Sequence, residues 1–305
     1  MTDYAPTELA NVLKNGLLSF PVTPFDDSLA VDENTLRKHL EWQSSFDVAG
    51  LFVAGGTGEG FSLTPEEASR VSAIAVDTVR DGVPVLGSAT GNTAQAIASA
   101  RAAEEAGVDG LLLLPPYLTE TTQEGLFAHV SAVLEATSVS VIIYNRANAH
   151  YSAETVAKLA EKYPHFIGFK DANGEIEHLA RVRALNGDRL IYIGGLPTAE
   201  TYALPLLKMG LSTYSSAMFN FIPEFALDFY AAVRAEDEPK VNRMISDFVL
   251  PYLDIRNLGS GYGVSIVKAG LNAVGRPVGS VRPPLRDLSE AEQDRLATLL
   301  SGLTN

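Results

Sequence analysis

Cysteine is missing altogether from this chain of 305 residues, which rules out disulfides and thiolate metal ligands and carries no information on redox compartment. Positive charge is scarce: 23 Lys and Arg stand against 37 Asp and Glu, a net charge of −14. That balance argues against nucleic acid or an anionic membrane as partner, because both reward a basic surface. An anionic small molecule would need a locally attractive site. Long apolar runs are also lacking. None reaches the roughly 18 residues of a membrane span, and the opening stretch MTDYAPTELANVLKNG holds no apolar core of signal-peptide length. A cytoplasmic protein with no membrane partner is therefore expected. His39, His129, His150, His165 and His178 show no HxxxH or HExxH spacing, and no carboxylate cluster ends a strand, so no metal site is expected. Phosphate-binding loops, GxSxG elbows and aromatic RNA-binding motifs are absent as well.

What the chain does have is enough apolar residues, 46% by composition, to bury a large core as one α/β domain or as a barrel with an appendage. Eight short apolar runs recur: GLLSFPVTP (16–24), GLFVAG (50–55), VPVLGSAT (83–90), GLLLLPP (110–116), SVIIYN (140–145), FIGFKD (166–171), LIYIGG (190–195) and STYSSA (212–217). Most are continuously apolar rather than alternating, as parallel strands covered on both faces require. The stretches between them read as helices. Thr64-Pro65-Glu66-Glu67 is a capping box with proline at the first helical position, Asn92 or Thr93 can cap the next helix, and Ser152 can cap the helix through Glu161. Gly107 and Gly210 sit where helices should end. Eight alternations of strand and helix predict a (β/α)8 barrel over residues 1–223. After Pro223 only helical patterns remain, which predicts a C-terminal helical region over 224–305.

Function in such a barrel gathers where strands end. GGTGE (55–59) follows the second run but fails the dinucleotide fingerprint, because Phe61 stands where the last glycine belongs. It is either a tight turn or a nest of N–H groups at Gly56, Thr57 and Gly58 that holds a carboxylate or phosphate. Lys170 ends the sixth run. Its amine either snorkels to solvent or is desolvated and neutral, the form that attacks a ketone. Lys268, in SIVKAGLNAVG, is the rival lysine and is expected on a solvated helix face. Tyr144 ends the fifth run, one strand from Lys170, and can pack its ring or relay protons.

FPVTPF, GGTGE, PVLGSATGNT, LLLLPPY, YN, GFKD, the YIGG that ends at Gly195, and the late KAGLNAVG occur in an order and spacing that resemble the dihydrodipicolinate synthase and N-acetylneuraminate lyase family of Schiff-base enzymes. The resemblance covers nearly the whole chain. It implies that Lys170 forms the Schiff base, that Tyr144 relays protons, and that the Gly56, Thr57 and Gly58 loop binds the carboxylate beside a keto group, with Gly195 nearby. Three positions depart from the synthase pattern: Gly56 where serine or threonine is usual, YNRANA without its proline and following arginine, and Leu118 in place of a second tyrosine. With GGTGEGFSL and TYSSAMFNFIP they resemble the branch of 5-dehydro-4-deoxyglucarate dehydratases, which act on a keto-diacid without metal or organic cofactor. A diacid needs a second anion anchor, for which Arg146, Ser215 and Ser216 are candidates. The alternatives are a 2-keto-3-deoxy sugar acid aldolase or synthase-like enzyme and, from another class, a catalytically silent metabolite-binding barrel. The resemblance also implies a homo-oligomer, a tetramer in much of the family.

Overall fold

The computed structural model describes residues 4–79, 82–117, 120–146 and 149–303. All eight expected strands form: β1 (Leu18–Ser19), β2 (Gly50–Phe52), β3 (Val85–Ala89), β4 (Gly110–Leu113), β5 (Ser140–Asn145), β6 (Phe166–Asp171), β7 (Ile191–Gly194) and β8 (Thr213–Ser216). Each runs parallel to the next, and β1 pairs with β8, so the sheet closes into a barrel. Every residue of β1 to β7 is buried, which is why these runs are apolar without alternation. β1 is much shorter than its apolar run, because Pro21 and Pro24 have no N–H to give to a ladder.

Helix α1 (Pro6–Lys14) precedes the barrel, and the sequence reading did not anticipate it. It closes the N-terminal end of the barrel by inserting Leu9 and Leu13 among Leu18, Leu86, Leu112, Ile142 and Ile191. The strand starts make room for it. A methyl group on Gly50 would sit 2.6 Å from the Leu13 side chain, and one on Gly110 would sit 3.0 Å from that of Leu9. Apolar side chains thus fill one end of the barrel, and the opposite end, where the strands terminate, is left for chemistry.

The helices that follow β1 to β7 are α2 (Glu33–Ser44), α3 (Pro65–Thr78), α4 (Thr93–Glu105), α5 (Gln123–Leu134), α6 (Ala153–Lys162), α7 (Ile176–Asn186) and α8 (Glu200–Lys208). Their caps are those the sequence specifies: Thr64 with Glu67, Asn92 with Gln95, and Ser152 onto Thr155. Gly107 and Gly210 adopt φ of +89° and +92° just beyond helix ends. After β8 come α9 (Pro223–Arg234), α10 (Glu238–Met244), α11 (Leu250–Arg256), α12 (Tyr262–Ala273) and α13 (Glu290–Ser301). KVNRMISDFVLPYL, one helix by pattern, is interrupted at Ile245–Val249 by a turn of π-helix. Pro251 follows it, and the wider turn relieves the clash of its ring with the preceding carbonyls. Among the described residues, no helix is long and apolar enough to cross a membrane.

A buried polar knot ties the loop after β8 to the start of the barrel. The Asn220 carboxamide accepts from Val22 N and Gln43 Nε2 and donates to the carbonyls of Phe20 and Ala217. His39 completes the knot at 3.1 Å from Asn220 Oδ1, and burial lowers its pKa to about 4, so the ring stays neutral.

Candidate active site

Parallel pairing sets the central residues side by side, with Tyr144 of β5 opposite Lys170 of β6 and Asn145 opposite Asp171. The Lys170 side chain is 4% exposed. Its amine lies 4.5 Å from the Phe20 ring centroid and 4.7 Å from that of Tyr144, and it donates to Ser215 Oγ at 3.1 Å. Desolvation lowers its pKa to about 7; the Arg146 guanidinium pushes the same way and Asp171 opposes. Of the two readings of Lys170, the structure favours the dry, partly neutral amine over a snorkelling tip.

Gly195 is packed against that amine. A side chain there would begin 2.9 Å from Lys170 Nζ and from Asp171 O, so glycine is the residue that fits. Its carbonyl accepts from the Tyr144 hydroxyl at 3.2 Å, which fixes the phenol over the lysine. Burial raises the Tyr144 pKa, and Arg146 pulls it back. The Asp171 carboxylate accepts from Asn145 Nδ2 at 2.7 Å and Gly174 N at 2.8 Å, so its bonds go to holding the strand ends.

The GGTGE loop divides by role. Gly56 and Thr57 line the cleft, and a side chain at Gly56 would meet nothing nearer than Arg146 Nη1, 3.9 Å away. Gly58 does not line the cleft. A methyl group there would lie 2.9 Å from Pro21 O, and its carbonyl accepts from Thr23 Oγ1 at 2.6 Å. The last residue of the motif, Glu59, adopts φ of +54° and is fully buried. Its partner is Lys268 at 2.8 Å, with Arg282 N donating to the other carboxylate oxygen at 2.9 Å.

Lys268 therefore is not on a solvated face. It is 1% exposed, donates to Ser280 O at 2.9 Å and lies 4.2 Å from the Phe25 ring centroid. The reason is that α12 is buried on nearly every side, including Ile266, Val267, Ala269 and Leu271, so it has no solvent stripe at this point. Arg282 extends the clamp by pairing with Glu67, the carboxylate of the α3 capping box, and by donating to Ser62 O.

Ser215 faces the amine, whereas Ser216 bonds to the buried carboxyl group of Glu200. Arg146 leans toward Tyr144 from the loop after β5. Leu118 and Ala147, two of the departures from the synthase pattern, lie outside the described residues, whereas Ala149, where that pattern has its arginine, is buried and donates its N–H to Arg146 O at 2.9 Å. The cleft encloses about 530 Å³, and residues the sequence reading passed over form its outer wall: Thr198 after β7, Arg256 at the end of α11, and Tyr262 at the start of α12. Arg256 Nη1 donates to Thr198 Oγ1 at 2.7 Å. Its only sequence signal was a cation in the last turn of a helix, which is commonplace. Among the described residues, no group of three or more His, Asp or Glu side chains is arranged to hold a metal.

Two outcomes follow from these geometries. Lys268→Met leaves the buried Glu59 carboxylate without its countercharge and should destabilise the fold by about 3–5 kcal/mol, whereas adding Glu59→Gln should recover part of that loss. Denaturant unfolding of the two single variants and the double variant measures the coupling, and strictly additive losses would show that the pair is not interacting. For Lys170, the native pKa of about 7 lies below the ordinary 10.5. Between those values the unfolded chain binds the extra proton, so wild-type stability rises with pH across that window. Lys170→Met should accordingly raise Tm most at and below pH 7, with the difference shrinking toward pH 10.5. A difference independent of pH would mean that the amine is not desolvated.

The model of the dihydrodipicolinate synthetase family matches residues 13–303. Proteins named probable 5-dehydro-4-deoxyglucarate dehydratase from Corynebacterium glutamicum and Pseudarthrobacter chlorophenolicus are 64% and 63% identical to this chain over 301 residues, 99% of its length and 95% and 99% of theirs. The crystal structure of dihydrodipicolinate synthase from Oceanobacillus iheyensis superposes with a TM-score of 0.89, covering 98% of this chain and 99% of that one at 24% identity, and so shares the fold. On both the family match and these full-length relatives, the chain belongs to the dihydrodipicolinate synthetase family.

Proposed function

We infer that the protein is a Schiff-base-forming dehydratase and decarboxylase that converts 5-dehydro-4-deoxyglucarate to 2,5-dioxopentanoate, carbon dioxide and water. The observation that carries this reading is the desolvated Lys170 amine beside Tyr144, in a chain more than 60% identical to relatives bearing that name. A silent binding barrel has no use for an amine held dry at a cost in stability.

The chemistry follows from one iminium. Lys170 condenses with the C5 ketone, which acidifies C4, and loss of a C4 proton gives an enamine that expels the C3 hydroxyl as water. The conjugated iminium then accepts the electrons released as the C1 carboxylate leaves C2 as carbon dioxide. Protonation and hydrolysis free the aldehyde and the amine, so no metal or organic cofactor is called for. Tyr144, with its hydroxyl on the Gly195 carbonyl and its ring against Lys170, is placed to move protons at the iminium carbon and nitrogen. Gly56 and Thr57 line the cleft where the C6 carboxylate must lie, next to C5, and Arg146 stands beside them. Ser215 holds the amine in place. The C1 end of a six-carbon diacid extends outward, where Arg256 and Thr198 form a second cationic rim and Ser216 lies between. A homotetramer in the cytoplasm accords with the same reading.

Incubation with 5-dehydro-4-deoxyglucarate should release carbon dioxide and aldehyde in equal amounts without added metal or nucleotide, and Lys170→Ala should abolish both and borohydride trapping. Pyruvate as the product would move the assignment to an aldolase, and a trapped adduct in the variant would mean the wrong lysine. The two arginines separate by substrate. Arg256→Gln should raise KM for the diacid about tenfold or more while leaving pyruvate adduct formation near wild type, because pyruvate has no far carboxylate, whereas Arg146→Gln should weaken both. Equal losses from both variants with both ligands would remove the division of the cleft into two ends.

A further inference from the structure

Glu200 is the first residue of α8 and is only 1% exposed, although it sits behind the cleft wall. One carboxyl oxygen bonds to the Ser216 hydroxyl, and the other is buried without a hydrogen-bond partner. Ser216 Oγ also accepts from Phe219 N at 3.3 Å, and Ser216 lines the cleft next to Ser215, the acceptor for Lys170. The groups that face Glu200 are Tyr214 and Ser216 from β8 and Tyr252 and Arg256 from α11. Among the described residues none of them forms an ion pair with it.

An ionised carboxylate with one oxygen dry and unbonded is costly, whereas a neutral acid leaves only a carbonyl oxygen unpaired. Burial favours that neutral form and raises the pKa, against the hydrogen bonds from Ser216 and the Glu200 backbone and the weaker pull of Arg256. The acid proton then points along the bond to Ser216. Ser216 Oγ donates to Glu200 and accepts from Phe219 N; once Glu200 carries the proton that bond reverses, and the Ser216 hydrogen is released for another acceptor.

We propose that Glu200, acting through the Ser216 hydroxyl, supplies the proton that converts the departing C3 hydroxyl into water. The assignment rests on the dehydratase reading. As the C3–O bond breaks, Ser216 gives its hydrogen to the leaving oxygen and takes the Glu200 proton, so that one water forms and Glu200 is left as a carboxylate. After decarboxylation the C2 hydroxyl loses its hydrogen in becoming the aldehyde, and that proton returns to Glu200 by the same path. Glu200 is thus a positioning and proton-storing residue for Ser216, and it acts after C4 deprotonation.

The test separates those two steps. In D2O, wild type, Glu200→Gln and Ser216→Ala are given 5-dehydro-4-deoxyglucarate, and NMR follows deuterium at C4 of the remaining substrate alongside carbon dioxide release. Glu200→Gln should retain C4 exchange within a few-fold of wild type while carbon dioxide release falls about 10²-fold or more. Wild-type turnover should decline as pH rises through the raised pKa of Glu200, the Gln variant should lose that limb, and Glu200→Asp should restore part of both. Ser216→Ala, a smaller change, should reproduce the split between exchange and release should the Gln variant fold poorly. Exchange and release falling in parallel, or release unchanged, would overturn the proposal. Failure of the wild type to release carbon dioxide would instead overturn the dehydratase reading.

Discussion

In the proposed reaction the amine of Lys170 has to be neutral to attack a ketone, and the largest influence that makes it so is the removal of water around it. That single requirement organises the barrel's open end. Phe20 and Tyr144 present ring faces to the nitrogen, Gly195 comes close enough that no side chain could be tolerated there, and Ser215 supplies one hydrogen bond where bulk water would supply several. The opposite end is closed by α1, whose leucines fill the barrel from below. The apolar plug and the active amine belong to the same design, since a wet barrel interior would return the lysine to its ordinary pKa.

On the same reading, a second requirement is that the backbone of the GGTGE loop be rigid, because main-chain donors bind an anion well only if they are already in place. Glycine alone works against this, since it adds freedom. Rigidity comes instead from Glu59, held in a left-handed conformation by its ion pair with Lys268 and its bond from Arg282 N. The C-terminal helices therefore do more than cover the barrel. α12 supplies the cation that pairs with Glu59 of the GGTGE loop, and α11 supplies Arg256 and Tyr252 to the cleft.

What could be read from the sequence was what depends on short-range pattern. Continuous apolar runs gave the eight strands, and caps such as Thr64 with Glu67 gave helix starts, because both signals are complete within a few residues. Lys170 and Tyr144 stood out because a cation and a phenol at apolar strand ends are locally anomalous. Lys268 was misplaced for the converse reason. On a helix a lysine looks ordinary, and only the burial of α12 against the barrel makes it exceptional. Arg256 and Glu200 were invisible in the same way, since each is an unremarkable charged residue near a helix end until the closed barrel brings β7, β8 and α11 around one cleft. Helix α1 escapes a search for a signal-peptide core, although Pro6 and the Leu9 to Leu13 spacing carry a helical signal.

Arg146 shows how one charge can serve opposite ends of the reaction. Its guanidinium has no ion-pair partner among the described residues, and its repulsion helps to lower the pKa of Lys170. On the proposed reading, a substrate carboxylate bound beside Gly56 neutralises that guanidinium, and the repulsion on the neighbouring nitrogen falls away. The nitrogen becomes a cationic iminium only after this has happened. The same side chain thus disfavours positive charge on the lysine before condensation and ceases to do so once the substrate is bound, which favours the iminium without requiring any movement of the barrel. On this reading an acidic protein with a net charge of −14 binds a dianion because the attraction is confined to a cleft whose walls carry Arg146 and Arg256.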